Sequence, residues 1–473
     1  MPFSPQIEAF IKDFVKDLDE RNVAIFAGAG MSKAAGYVDW PELLRDIAAE
    51  LDLTIEKEHD LISVAQFHVN ARKGSAGLAK KIVQEFSEQA EPSQTHEILA
   101  RLPIGTYWTT NYDTLIEDAL RKAYKVADVK HSIRQLITTR PKRDAVVYKM
   151  HGDVSVAQDA VLYKEQYERY HDTHAPFVTA LSGDLVSKTF LFIGFSFSDP
   201  NLDYVLSRLH VGAGRRNHYC FMRREQAVAG DDEEVVKYRR RKQDLRVDDL
   251  KRFGIQTVLI DDYAEVPQIL GEIEARYRKK TVFVSGSAEE FGAWLRLDGQ
   301  AFVHLLAAGI VKANFRVVNG FGWGIGSAVI NGALEAIYGQ PQKYSEDQLI
   351  VRPFPQFGEN LQALWEQYRQ RMISLTGIAV FVFGNKLADG KVVQANGVQR
   401  EFDIAVEHGV VPIPVGCTGY MAEKLWNDVM ADQGRFYKGI EWVVPLVKEL
   451  NTPGLSPAEL ADKVVRILQR LNK

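Results

Sequence analysis

Cysteine is scarce in this chain of 473 residues, which contains only Cys220 and Cys417. Two distant cysteines exclude a disulfide framework and a four-cysteine zinc site. An excess of positive charge is also lacking, since 58 Lys and Arg stand against 62 Asp and Glu, for a net charge of −4. This balance argues against a nucleic-acid partner. No run approaches the ~18 apolar residues of a membrane span, and no signal-peptide pattern is present. We therefore expect a cytoplasmic protein without a membrane partner.

The length and the patterning of the chain predict two α/β domains. A chain of 473 residues is too long for one ordinary domain. Short runs rich in Val, Ile and Phe alternate with helical segments, which is typical of doubly wound, mostly parallel sheets with helices on both faces. We place one Rossmann-like domain at residues 1–278 and a second at 281–473, separated by a short polar junction.

The individual elements follow from the same patterns. Predicted strands of the first domain are 23–28, 105–110, 145–150, 189–195, 217–222 and 256–260. Predicted strands of the second domain are 281–285, 315–319, 348–352, 378–383 and 410–415. Predicted helices include 40–52, 113–123, 200–209, 264–278, 293–312, 326–338, 361–374, 398–408, 419–430 and 456–471.

Small and polar residues follow four strands of the first domain, at the edge where an open α/β sheet binds its ligands. The four motifs are Gly28-Ala29-Gly30-Met31-Ser32, Thr110-Asn111-Tyr112-Asp113, His151-Gly152-Asp153 and Gly194-Phe195-Ser196. The last motif is followed by Ser198, Asp199 and Pro200, a proline suited to start a helix. The first motif permits a tight turn and close approach to a phosphate, although Lys33 replaces the third glycine of the Rossmann fingerprint and no P-loop lysine follows. Purely structural roles stay open: a plain turn, a helix cap at Asp113 and a turn at Asn111. Together the four motifs predict a nucleotide site.

These motifs, in this order, resemble the NAD-binding motifs of the sirtuin superfamily over roughly residues 20–260. The resemblance implies that NAD is the substrate, that Asn111 holds its nicotinamide ribose, and that His151 is the general base. The remaining implied NAD-binding residues are Gly28, Ala29, Gly30, Ser32, Asp113, Gly194 and Ser196.

Two departures from the sirtuin pattern change the expected chemistry. Sirtuin deacylases carry a zinc module with two Cys-X-X-Cys pairs, which two cysteines cannot supply. Their Gly-Ile-Pro-Asp-Phe-Arg segment reads Gly36-Tyr37-Val38-Asp39-Trp40-Pro41 in this chain. Both departures argue against acyl-peptide binding. We therefore expect a metal-free NAD glycohydrolase that releases nicotinamide with water as the acceptor, because a histidine titrating near neutrality can accept the proton.

The second domain contains a glycine-rich loop between a predicted strand and a predicted helix. Its glycines stand at every second position from 320 to 326, which leaves four backbone amides free to bind a phosphate at the helix N-terminus. An ordinary glycine-rich loop stays open as the alternative. This half resembles the SLOG family of nucleotide-binding domains, and the resemblance implies a cyclic ADP-ribose isomer as the ligand. The implied ligand residues are Ser285, Gly286, Gly322, Gly324, Arg369, Lys386, Gly397 and Glu401, with Arg371 as an alternative to Arg369.

A sirtuin-like domain followed by a SLOG domain resembles the effectors of the Thoeris anti-phage defence system. The resemblance implies that a separate TIR-domain protein makes the cyclic signal, and that signal binding activates NAD hydrolysis and depletes cellular NAD. It also implies a homotetramer that can stack into filaments. Other hypotheses stay open: an NAD-dependent protein deacylase and a non-catalytic nucleotide sensor that acts through assembly. A nucleotide hydrolase centred on the second domain is weaker, because that half shows no paired catalytic carboxylates.

Overall fold

The chain folds into two compact α/β units. The computed structural model describes residues 3–87, 90–197, 199–209, 216–228 and 230–472. The first unit is Met1–Glu274 and the second is Ala275–Lys473. Each is built around a parallel sheet with helices between its strands, which confirms the predicted fold class. The division falls four residues before the end of the predicted first domain.

The first unit contains a seven-stranded sheet in the order β3-β4-β2-β1-β5-β6-β7. Its strands are β1 (Val23–Ala27), β2 (Thr106–Thr109), β3 (Ala127–Lys130), β4 (Ala145–Lys149), β5 (Thr189–Ile193), β6 (His218–Arg223) and β7 (Ile255–Ile260). Its helices are α1 (Pro5–Asp19), α2 (Ala29–Lys33), α3 (Trp40–Ala49), α4 (Leu61–Arg72), α5 (Ala76–Phe86), α6 (Gln94–Arg101), α7 (Leu115–Lys122), α8 (Ile133–Leu136), α9 (Lys164–Glu168), α10 (Tyr170–Thr173), α11 (Ala175–Ser187), α12 (Pro200–Leu209) and α13 (Glu233–Arg252). Helix α14 (Glu265–Lys279) includes the division between the units.

The register of the central strands aligns the predicted motifs. Strand β1 is buried along its whole length, as expected for a strand covered on both faces. Ala27 at its end pairs with Thr109 of β2 and Ile193 of β5, and Thr109 pairs with Lys149 of β4. Because all these pairs are parallel, the segments that follow β1, β2, β4 and β5 leave the sheet at one edge.

The second unit contains a five-stranded parallel sheet in the order β10-β9-β8-β11-β14 and an antiparallel hairpin, β12-β13. Its strands are β8 (Thr281–Ser287), β9 (Arg316–Asn319), β10 (Leu349–Val351), β11 (Ile378–Phe383), β12 (Asn385–Ala388), β13 (Lys391–Gln394) and β14 (Val411–Pro414). Its helices are α15 (Arg296–Lys312), α16 (Gly326–Gly339), α17 (Leu361–Ile373), α18 (Asn396–Glu407), α19 (Tyr420–Ala431), α20 (Gln433–Phe436), α21 (Val444–Lys448) and α22 (Pro457–Leu471).

Two strand features and one turn differ from the sequence expectations. Strand β3 was not predicted because its second and fourth residues, Asp128 and Lys130, are charged; they are buried as an ion pair at 2.9 Å. The β12-β13 hairpin was missed although its Asp389-Gly390 turn, with positive φ at both residues, is a common hairpin signal. The turn after β1 contains the short helix α2. Within the described ranges, no helix combines the length and apolarity required to cross a bilayer.

Candidate functional site

Glycines bring the turn after β1 against the end of β5. The Gly28 amide donates to the Ile193 carbonyl at 2.9 Å, and the Gly30 amide donates to the Gly194 carbonyl at 2.9 Å. A Cβ atom on Gly28 would lie 2.4 Å from the Gly194 oxygen. Gly194 itself has a φ of +64°, and a Cβ there would lie 2.2 Å from the Met31 nitrogen. The glycines are therefore required by backbone packing, whatever ligand the turn binds.

Asn111 is held by a short chain of hydrogen bonds at this edge. Its Nδ2 donates to the Gly28 carbonyl at 3.0 Å and to the Ser32 hydroxyl at 2.7 Å. The Ser32 hydroxyl in turn donates to Asp113 Oδ2 at 2.5 Å, and Asp113 Oδ1 accepts from the Leu115 amide at the start of α7. Asn111 Oδ1 accepts no hydrogen bond within the described part of the chain. The network thus leaves one polar atom of Asn111 available to a ligand.

A buried lysine holds the Asn111 loop through hydrogen bonds to its backbone carbonyls. Lys149, at the end of β4, is fully buried, and its Nζ donates to the carbonyls of Tyr112 at 3.1 Å and Asp113 at 2.5 Å. The same Nζ pairs with Asp153 and lies 3.4 Å from Glu117. Burial alone would lower the pKa of Lys149, but the carboxylates outweigh it and raise that pKa. Burial raises the pKa of Glu117, while Lys149 holds the pKa of Asp153 below its usual value.

His151 lies in an enclosed position among aromatic side chains, in the segment that follows β4. It is 1% exposed. Its Nδ1 lies 3.4 Å from the Tyr167 hydroxyl, and its Nε2 lies 3.4 Å from both Asp199 Oδ2 and Asn201 Nδ2. Burial lowers the pKa of His151, and the Asp199 carboxylate partly opposes that shift.

The predicted NAD residues do not all line one cavity. Asn111, Ser32, Asp113 and Ala29 line one small cavity, which is also lined by Val38, Asp39, Trp40, Leu43, Phe86, Thr110 and Tyr112. His151 does not line this cavity and belongs to the group around Tyr167 and Asp199. Ser196 is exposed, and its backbone carbonyl accepts a hydrogen bond from Arg246. Ser198, in the same segment, lies outside the described residues.

In the second unit, the buried carboxylate of Glu401 contacts two other predicted ligand residues, Ser285 and Arg369. Glu401, on α18, is 7% exposed, and its Oε2 accepts from the Ser285 hydroxyl at 2.6 Å. Arg369 Nε, on α17, lies 3.6 Å from Glu401 Oε1. Burial raises the pKa of Glu401, against the opposing effects of Ser285 and Arg369. Of the two arginines that the sequence left open, Arg369 is therefore the one that contacts Glu401.

The glycine-rich loop packs its backbone against the end of β8. A Cβ on Gly322 would lie 1.9 Å from the Gly286 oxygen, and a Cβ on Gly324, whose φ is +74°, would lie 1.9 Å from the Ala288 oxygen. The expectation that all four glycine amides are free is wrong. The Gly326 amide donates to the Gly322 carbonyl at 2.7 Å, because the loop closes into the first turn of α16.

The remaining predicted ligand residues border the same sheet edge. Lys386, on β12, donates to Asn396 Oδ1 at 2.5 Å, and Asn396 precedes Gly397 in α18. A Cβ on Gly397 would lie 3.1 Å from Arg369 Nη2, so a larger residue would crowd that guanidinium. The predicted signal residues thus lie on β8, on the loop between β9 and α16, and on α17, β12 and α18. Contacts among Ser285, Glu401 and Arg369 connect β8, α18 and α17, and Lys386 reaches this set through Asn396.

Several candidate residues escaped the sequence reasoning. Lys149 and Asp199 lie next to predicted motifs, but their partners come from distant parts of the chain. Arg352 directly follows β10, in a segment that carries no recognisable motif. The Nε atoms of Arg352 and Arg369 are buried and have no hydrogen-bond partner among the described residues. Within those residues, no group of three His, Cys, Asp or Glu could hold a metal ion.

Comparison with known families agrees with this two-part architecture. Residues 105–247 match the model of the SIR2-like domain. Residues 265–471 match the model of the Sir2- and TIR-associating SLOG family. The first match includes Asn111 and His151, and the second includes every predicted signal residue.

Full-length relatives identify the family. The chain is 48% identical to the NAD(+) hydrolase ThsA of Bacillus cereus (strain MSX-D12), over 100% of both chains. It is 46% identical to the protein of the same name from Acinetobacter baumannii (strain 532279), over 99% of both chains. The ThsA of Cytobacillus dafuensis is 44% identical over 98% of this chain and 96% of its own. The chain belongs to the ThsA family. Its SIR2-like and SLOG units are those of a ThsA protein.

Proposed function

We propose that the first unit hydrolyses NAD to nicotinamide and ADP-ribose. The arrangement of Asn111 carries the proposal: Gly28 and Ser32 fix its amide nitrogen, which leaves Oδ1 available at a cavity on the sheet edge that binds nucleotides in open α/β folds. The ThsA relatives, which carry the name NAD(+) hydrolase, support the same reaction.

The proposed reaction breaks the bond between the nicotinamide nitrogen and ribose C1. The electron pair of that bond goes to nicotinamide, which leaves as a neutral molecule, and the ribose passes through an oxocarbenium-like state. Water then forms the new bond to C1 and loses a proton. Asn111 Oδ1 positions the ribose or the water, and His151 takes up the proton as general base. Gly28, Ala29, Gly30, Ser32, Asp113, Gly194 and Ser196 complete the proposed NAD site.

Protein deacylation is the alternative that the sequence disfavours. A sirtuin zinc module needs four cysteines, and this chain has two, of which Cys220 is buried in the first unit and Cys417 lies in the second. An acetylated peptide incubated with the protein and NAD should therefore yield no O-acyl-ADP-ribose. Formation of that product would favour the deacylase.

Nicotinamide release tests the hydrolase assignment. In the presence of the activating signal described below, His151→Ala and Asn111→Ala should each lower the rate by a factor on the order of 10²–10⁴, the usual contribution of a positioned acid-base group. His171→Ala is the matched control, because His171 is half-exposed and contacts Asp172 instead of the site. Full turnover by both site variants would refute the assignment.

We further propose that a cyclic ADP-ribose isomer binds the second unit and activates this hydrolysis. The Nε atoms of Arg352 and Arg369 are buried without a hydrogen-bond partner among the described residues, although Arg369 Nε lies 3.6 Å from the Glu401 carboxylate. These two cationic groups support a phosphate ligand. Glu401 is suited to ribose hydroxyls. Ser285, Gly286, Gly322, Gly324, Lys386 and Gly397 complete the proposed signal site.

The biological setting follows from this proposal. A TIR-domain protein would supply the signal as a diffusible product, which agrees with the description of the matched SLOG family. The activated protein, a cytoplasmic homotetramer that can stack into filaments, would deplete NAD and so stop phage propagation. A non-catalytic sensor that acts through assembly predicts instead that cellular NAD persists after infection. Measuring NAD in infected cells with wild-type protein and with His151→Ala separates the two.

A further inference from the structure

Asp199 contacts both a helix and the candidate base. It follows β5 and immediately precedes α12. Its Oδ1 accepts from the amides of Asn201 at 2.9 Å and Leu202 at 3.1 Å, which caps the helix. Its Oδ2 lies 3.4 Å from His151 Nε2, and the Asp199 side chain is only 12% exposed. The Asp199 carboxylate thus connects the segment that follows β5 to His151 in the segment that follows β4.

Among the described residues, the other groups that face His151 are tyrosine, histidine and asparagine side chains. Tyr167 on α9 and Tyr170 on α10 place their rings edge-on to the imidazole, at centroid distances of 5.2 and 6.1 Å. His174 stacks on Tyr170 at 4.4 Å, and Asn201 on α12 presents an amide. Among the described residues, Asp199 supplies the ion-pair contact to His151. In such an enclosed position, a single carboxylate has a large effect on the pKa of the imidazole.

We propose that Asp199 is a positioning residue for His151, which orients the imidazole and stabilises its protonated form during NAD hydrolysis. The inference rests on the proposed role of His151 as general base. A proton on Nε2 that points at the Asp199 carboxylate leaves Nδ1, which lies 3.4 Å from the Tyr167 hydroxyl, as the basic nitrogen. When water or a ribose hydroxyl reacts, its O–H bond breaks, its electron pair stays on oxygen, and its proton forms the new N–H bond at Nδ1. Asp199 neither gains nor loses a proton in this step.

Asp199→Asn separates the charge from the helix cap. Asparagine is as good an N-cap as aspartate, so its side-chain oxygen can still accept from the Asn201 and Leu202 amides. The matched control is Asp232→Asn, which neutralises the aspartate that caps α13 through the Glu234 amide. Both variants should unfold at the temperature of the wild-type protein.

The pH profile of nicotinamide release gives the decisive readout. Burial lowers the pKa of His151 and Asp199 opposes this shift, so loss of the charge should lower that pKa further. The acidic limb of kcat/KM should move to lower pH by about one unit, since a close opposite charge shifts a pKa by about 1–3 units. The rate on the plateau should fall about 10- to 100-fold, because the base is weaker and less well oriented. Asp232→Asn should leave both quantities unchanged.

Three results would overturn the inference: an unchanged profile, a lower rate with no movement of the acidic limb, or a lower unfolding temperature that accounts for the lost rate. The imidazole titration of His151, followed by NMR in histidine-labelled protein, should move in the same direction whether or not His151 is the base. If His151→Ala retains full activity, the proposed role of His151 fails by itself. If His151→Ala is inactive and Asp199→Asn behaves as wild type, only the role of Asp199 fails.

Discussion

At the scale of single residues, Lys149 contributes more to the fold than its one charge suggests. Its Nζ neutralises Asp153 and Glu117 and also holds the carbonyls of the Asn111 loop. Lys149→Met should lower the free energy of unfolding by about 3–5 kcal/mol, because two carboxylates lose their buried partner. Denaturant titration measures the change. Lys33→Met, which removes an exposed ion pair with Asp39, should leave the free energy of unfolding almost unchanged. Equal losses in the two variants would contradict the account.

We expect signal binding to depend on pH through the protonation of Glu401. Burial raises its pKa above the ordinary value of 4.5, so the folded protein takes up this proton at a higher pH than an exposed glutamate would. The affinity for the cyclic nucleotide should therefore fall with decreasing pH, and at a higher pH than the titration of an exposed glutamate would cause, since a protonated Glu401 accepts ribose hydroxyls poorly and loses its attraction to Arg369. Calorimetric titrations at a series of pH values test the expectation. Glu401→Gln should bind weakly and without this pH dependence; a wild-type affinity that stays constant would refute the role.

At the scale of elements, the packing of the first turn depends on Gly194. Its positive φ and the close Met31 nitrogen leave no space for a side chain, so Gly194→Ala should separate α2 from the end of β5. We expect a large drop in the unfolding temperature and loss of NAD cleavage. Gly183→Ala is the matched control, because a Cβ at this position in α11 meets no atom within 4 Å. That variant should be as stable as wild type or more stable by about 0.5–1 kcal/mol. Equal stability of both variants would be inconsistent with this packing.

The strand ends were predictable from the sequence because runs of buried apolar residues mark the strands and small or polar residues mark where they end. This pattern was sufficient to place Asn111 and His151 on adjacent strand exits. It could not find β3, whose charges are neutralised by pairing inside the protein. It could not assign Asp199 or Lys149 either, because the contact of Asp199 with His151 spans 48 positions, and Lys149 acts through backbone carbonyls that carry no signal in the sequence.

At the scale of the whole molecule, we propose that signal binding in the second unit activates NAD hydrolysis in the first. Coupling between two sites is commonly about 1–3 kcal/mol, or 5- to 150-fold. Arg369→Ala should therefore lose activation at signal concentrations that saturate the wild-type protein, while its unsignalled rate and its NAD site stay unchanged. Calorimetry should show weakened signal binding in the same variant. Full activation of Arg369→Ala would refute the proposed signal site in the second unit.

The rate of nicotinamide release by the full-length protein, with and without a cyclic ADP-ribose isomer, tests the central claim most directly. We predict slow release without the signal and a rate about 5- to 150-fold higher at saturation, with ADP-ribose formed in equal amount. His151→Ala should release almost no nicotinamide, either without or with the signal. Equal rates with and without every cyclic isomer tested, or intact NAD under both conditions, would contradict the account.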